Sequence, residues 1–159
     1  MSSAIRRIIA VTISMLVTLP LLAFGAEQAP PLVAAKKANS AAKPVSKERV
    51  IFQMSDADPK KWNLALNNIK NVQTDLGADK TELELVAYGP GIGMLKADAE
   101  SAGRIEEAIA AGVRVVACEN TMRNQNITRN DMHKNIDFVA SGVVELMRRQ
   151  QQGYAYIRP

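Results

Sequence analysis

The sequence predicts an α/β fold: a five-stranded, mostly parallel sheet flanked by helices on both faces. Three observations predict it. Short apolar runs open near Arg49, Leu83 and Val113, thirty-odd residues apart, which is the length of a right-handed βαβ unit. The segments between them carry apolar residues at helical spacing. Proline and glycine punctuate those segments where a helix would start or stop.

Each element follows in order. Arg49-Val50-Ile51-Phe52-Gln53-Met54 reads as the first strand. Asp58-Pro59 starts a helix, with Asp58 as N-cap and Pro59 at the first helical position. Trp62, Ala65, Leu66, Ile69, Val72 and Leu76 continue it, and Gly77 closes it. Leu83 to Tyr88 is the second strand, followed by the loop Gly89-Pro90-Gly91-Ile92-Gly93. Leu95, Asp98, Ala102, Ile105 and Ile109 share one helical face, so the next helix is expected to begin near Leu95. Gly112 precedes the third strand, Val113 to Cys118. A short helix is expected from Asn120 to about Gln125, and Thr128-Arg129-Asn130-Asp131 resembles a capping box. Phe138-Val139-Ala140 is a brief fourth strand. Ser141 caps a helix carrying Val143, Val144, Leu146 and Met147, Gly153 ends it, and Tyr154 to Ile157 forms an edge strand.

Composition narrows the function classes. The chain has 159 residues, 47% hydrophobic and 4% aromatic, so one aliphatic core is expected in one domain. Its formal charge is +4, but six of the 20 basic residues and one of the 16 acidic residues precede Glu48. The remaining 14 bases face 15 acids. A near-neutral domain lacks the basic face that phosphate backbones require, so nucleic acid is not an expected partner. One cysteine and one histidine exclude an internal disulfide and argue against a closed zinc site; no metal or cofactor is expected.

Residues 1–25 read as an export signal: Arg6 and Arg7, an apolar run from Ile8 to Phe24, then small residues at Ala23-Phe24-Gly25. The run is near the lower limit for spanning a bilayer and Pro20 interrupts it, so cleavage is favoured over anchoring. Membrane contact is expected only through an uncleaved signal, and the mature protein is expected in the periplasm or otherwise exported. Residues 26–47, rich in Ala, Pro and Lys, read as a flexible linker. Residues 48–159 form the domain.

The lone cysteine, Cys118, stands where the third strand runs out into Glu119-Asn120-Thr121-Met122. That strand-end address is where ligands meet backbone in open parallel sheets. A thiol there is either a packed small hydrophobe or the reactive atom of the protein. The same sheet edge gathers Ser55-Asp56-Ala57-Asp58 and the glycine loop. Gly91 and Gly93 amides can face an anion, although a tight turn also explains the glycines. Asp58 is explained as a cap, which leaves Asp56 alone. His133 reads as a solvated loop residue, Trp62 as packing, and Arg148-Arg149 as a solvated helix end complementing the dipole.

The blocks Val50-Ile51-Phe52-Gln53-Met54-Ser55-Asp56, Val86-Ala87-Tyr88-Gly89-Pro90-Gly91-Ile92 and Ala117-Cys118-Glu119-Asn120-Thr121-Met122 resemble the DsrE/DsrF-like family, particularly its exported, single-domain branch. The resemblance spans about residues 48–159. It implies a flavodoxin-like three-layer sandwich, sulfur-relay chemistry and homo-oligomers, trimers or hexamers. It implies that Cys118 carries a persulfide, and that partners are a small sulfur-containing anion or a sulfur-carrier protein. The sequence departs from the family pattern at Glu119-Asn120-Thr121, where small apolar residues are typical.

On this reading Cys118 is the sulfur-carrying residue, and Ser55, Asp56, Gly91, Gly93, Asn120 and Thr121 wall an anion-binding crevice. A helix beginning at Asn120 favours the anion through its N–H groups and dipole. The Glu119 carboxylate opposes it. The competing expectation is a non-enzymatic oligomeric module that binds a ligand or partner, with Cys118 buried and structural.

Overall fold

A computed structural model describes residues 46–159. The predicted export signal and all but the last two residues of the predicted linker lie outside the described residues. Among the described residues no helix is long and apolar enough to cross a membrane.

Five strands form one sheet: β1 (Glu48–Met54), β2 (Thr81–Ala87), β3 (Arg114–Cys118), β4 (Asp137–Val139) and β5 (Ala155–Ile157). Their order is β4-β3-β2-β1-β5, and every pairing is parallel. Four helices connect them: α1 (Pro59–Leu76), α2 (Ala102–Ala110), α3 (Glu119–Asn124) and α4 (Gly142–Gln151). The punctuation acts as the sequence predicts. Asp58 Oδ1 accepts the Lys60 N–H at 2.9 Å, and Gly77 closes α1 with φ 96°. Thr128 and Asp131 complete a reciprocal capping box.

Strand periodicity divides the sheet into two faces. Phe52, Leu85 and Val115 project into the larger cluster, under α1, α2 and α3. Ile51, Val86 and Val116 project the other way and form a smaller cluster with Leu146 of α4 and Tyr154, flanked by the half-buried Tyr88 and Val139. Connectivity explains the split. The chain steps in one direction from β1 to β4, then returns across the sheet to place β5 beside β1. Right-handed crossovers put the returning helix on the opposite face. On that thinner face Val143, Met147 and Tyr156 remain exposed.

One predicted helix is shorter than expected. The Leu95–Ile109 pattern begins as a 3₁₀ segment, Gly89–Leu95, and becomes α-helix only at Ala102. Long-range bonds extend the chain between them. Lys96 bridges Met132, the Ala97 N–H donates to the Asp131 carbonyl at 3.0 Å, and the His133 N–H donates to the Leu95 carbonyl at 2.9 Å. The Ser101 hydroxyl then donates to the Met94 carbonyl at 2.7 Å.

Candidate functional site

Cys118 ends β3 on the α4 face and doubles as the N-cap residue of α3. Its side chain occupies the place where Ser or Asp would accept amide hydrogens of the first turn. A second helix end meets it there. Ser141 precedes α4 and makes no side-chain capping bond, and Gly142, the first residue of the helix, packs directly against Cys118. A side chain at Gly142 would crowd this approach. A Cβ on Gly142 would lie 3.2 Å from Tyr88 Cβ and Val86 Cγ1 and 3.3 Å from Cys118 Cβ.

Cys118 is 5% exposed. Burial pushes its thiol pKa up, but the Gly142 N–H, then the Thr121 hydroxyl and N–H, and last the Asn120 N–H oppose it; the net position is below the ordinary thiol value. The Asn120 N–H also donates to the Ala140 carbonyl at 3.1 Å. Thr121 is oriented from behind. Its Oγ1 accepts the Gly89 N–H at 2.9 Å, so its own proton is free to face the sulfur. Glu119 is drawn away from the thiol by an ion pair with Arg129, whose guanidinium stacks 4.3 Å over Phe138. The local arrangement therefore favours an anion on sulfur.

The structure gathers Cys118, Asn120 and Thr121 but gives the other predicted wall residues different work. Gly91 donates its N–H to the Tyr88 carbonyl at 3.1 Å. A Cβ there would strike Met54 O at 2.5 Å, so this glycine admits the close approach of two backbones. Gly93 lies against the Trp62 ring on the α1 side of the sheet. Ser55 Oγ accepts from Gln53 Nε2 at 3.1 Å. Asp56 is paired with Lys61 at 2.9 Å and Arg158 at 3.6 Å, and the Lys61 hydrogen bond leads the effects that hold its carboxyl below the usual range. These contacts engage the four residues within their own loops and neighbouring elements.

Sequence reasoning missed Gly142, and it expected Ser141 to cap α4, where its side chain makes no capping bond; it also missed a set of buried charges. Arg149 is not a solvated helix end. It lies 2.8 Å from the buried Glu84, 3.0 Å from Glu145, and 5.2 Å over the Tyr154 ring. Arg148 remains exposed, as expected.

Beside the Gly142 turn, Gln53, Tyr88, Val143, Met147 and Tyr156 line a shallow groove of about 420 Å³. Another groove, about 360 Å³, separates α1 and α2 on the far face, away from Cys118.

Comparisons with known proteins agree with this architecture. The protein of unknown function MTH1491 from Methanobacterium thermoautotrophicum is 37% identical, with a TM-score of 0.68 over 71% of this chain and 100% of that one. The ychN protein from E. coli shares the fold at 12% identity and TM-score 0.59, covering 70% of this chain and 99% of that one. The conserved protein of unknown function BT1422 from Bacteroides thetaiotaomicron does so at 13% and 0.58, covering 70% and 95%. A search of curated proteins found no match. The parallel sheet, the strand-end cysteine and a family profile matching residues 48–159 lead to one assignment: the chain belongs to the DsrE/DsrF-like family.

Proposed function

We propose that this protein carries a single sulfane sulfur on Cys118, as an exported member of its family. Family membership suggests a sulfur-relay-type role. What supports the finer reading is the burial of Cys118 at the start of α3, with Gly142 of α4 packed against it and the donors of both turns around a thiol held below its ordinary value. Those donors suit a thiolate, and they suit the persulfide anion that replaces it.

In the loading step the Cys118 thiolate attacks the sulfane sulfur of a donor such as thiosulfate. A new S–S bond forms at Cys118, the donor S–S bond breaks, and sulfite leaves with the electron pair. The oxidation level of the transferred sulfur is unchanged, so no external oxidant or reductant enters. Delivery to an acceptor thiolate, a small molecule or a sulfur-carrier protein, reverses the same exchange. Burial shields the free thiol, which suits an oxidising compartment.

Intact mass tests the reading. Protein purified under reducing conditions and then exposed to thiosulfate or polysulfide is expected to gain the mass of one sulfur. Cys118→Ser is expected to gain none. The absence of any adduct on the folded wild-type chain would refute the proposal. The same spectrum reads export, because mature protein lacks the residues 1–25 leader.

We further propose a homo-oligomer, supported by the exposed Val143, Met147 and Tyr156 beside the site. Light scattering is expected to give more than one chain for the wild type and a smaller species for Val143→Ser/Met147→Ser. A monomeric wild type at working concentration would refute this.

A further inference from the structure

Four charged side chains meet between α4 and the thin face of the sheet. Arg114 of β3 lies 2.9 Å from Glu84 of β2 and 2.9 Å from Glu145 of α4. Arg149 of α4 lies 2.8 Å from Glu84 and 3.0 Å from Glu145. Arg114 Nε also holds Asp137 of β4 at 2.7 Å. The aligned N–H bonds go to Glu145 and Asp137. Glu84, 1% exposed, is held by charge alone, with no hydrogen-bond partner on either oxygen.

Such a cluster is a poor way to gain stability, because desolvating the charges offsets their attraction. It is an effective way to fix geometry. Each arginine joins a carboxylate of the sheet to a carboxylate of α4, so the helix cannot roll or slide without breaking both pairs. Leu146 and its apolar neighbours are non-directional and cannot impose that register. The cluster also shares two elements with the sulfur site. Arg114 and Cys118 project from the same face of β3, and Glu145 lies one turn beyond Gly142 on α4.

We propose that the Glu84–Arg114–Glu145–Arg149 cluster positions the α4 N-terminus, holding the Gly142 N–H on the Cys118 sulfur. The four are positioning residues, acting on the sulfur only through the helix. This rests on the reading of Cys118 as a reactive anion.

The experiment follows iodoacetamide alkylation of the folded protein against pH by intact mass, alongside the Gly142 amide resonance. Wild-type Cys118 is expected to titrate below an ordinary thiol, with the Gly142 resonance following the same curve. Glu145→Gln keeps the shape and removes the charge; its thiolate fraction at neutral pH is expected to fall about three- to tenfold. The Gly142 response is expected to weaken with it. Gly142→Ala crowds the same contact without touching the cluster, and it should shift the thiol in the same direction. Arg149→Lys keeps the charge but loses the planar fork, with an expected loss of about twofold.

An ordinary wild-type thiol with a silent Gly142 resonance overturns the reactive-anion reading, and this proposal falls with it. An acidic wild-type thiol that shifts in Gly142→Ala but not in folded Glu145→Gln overturns the positioning role alone. If Glu145→Gln fails to fold by circular dichroism, Arg149→Lys decides on the same readout, and an unmoved thiol there overturns the proposal.

Discussion

The two faces of the sheet are built to different ends. The α1/α2 face is apolar from edge to edge, with Phe52, Leu85 and Ile105 fully buried under helices. The α4 face is thin, with five buried apolar residues, an embedded charge cluster, and the only cysteine. One face maximises burial, which is indifferent to small shifts in register. The other gives up apolar area for directional contacts, which are not. The main apolar core and the polar surroundings of Cys118 thus lie on opposite sides of one set of strands, separated by the two-residue period alone.

The sharpest way to break that comparison is a cavity on the thick face. Phe52→Ala is expected to destabilise the protein by about 3–5 kcal/mol in denaturant unfolding. Cys118 in the remaining folded protein should alkylate with its wild-type pH profile. A shifted thiol would mean the faces are coupled. Leu146→Ala on the thin face is expected to lose less, about 2–3 kcal/mol at the low end of such truncations. It should nonetheless disturb the Cys118 profile, because it loosens α4.

The smallest expected effect is in pH dependence. Burial pushes the Glu145 carboxyl up, but the contacts with Arg114 and Arg149 outweigh it and hold it below its ordinary value of 4.5, so its stabilisation is complete above that value and lost as pH falls through the depressed pKa. Glu84 runs the other way. Burial pushes its carboxyl above 4.5 despite Arg114 and Arg149, so the folded state loses stability as pH rises from 4.5 through the raised pKa. Thermal melts across that range are expected to show Glu84→Gln removing the decline above 4.5, and Glu145→Gln removing the loss below it. Identical profiles for both variants and the wild type would contradict the assignment.

Much of the fold was legible. Asp58-Pro59, Gly77 and the Thr128–Asp131 box act within a few residues of themselves, and local signals are what a sequence displays directly. The Leu95–Ile109 segment misled because its apolar spacing is helical, whereas bonds from 131–133 pin Leu95, Lys96 and Ala97 and the chain then turns before α2. For the site, Cys118, Asn120 and Thr121 were legible as a strand-end turn. Gly91 and Gly93 were not legible as packing glycines, because what crowds them is Met54 and Trp62 from other elements.

By itself, then, the sequence determined the parallel α/β architecture and the strand-end address of the thiol, since both follow from periodicity and caps. Only the tertiary structure decided what surrounds the sulfur. The return crossover brings Gly142 to Cys118, the turn after β2 orients Thr121 from 32 residues away, and Glu84 finds its arginines on β3 and α4. Those contacts are long-range and directional, so no local pattern encodes them. Whether a thiol is ionised depends on the few donors that reach it in three dimensions.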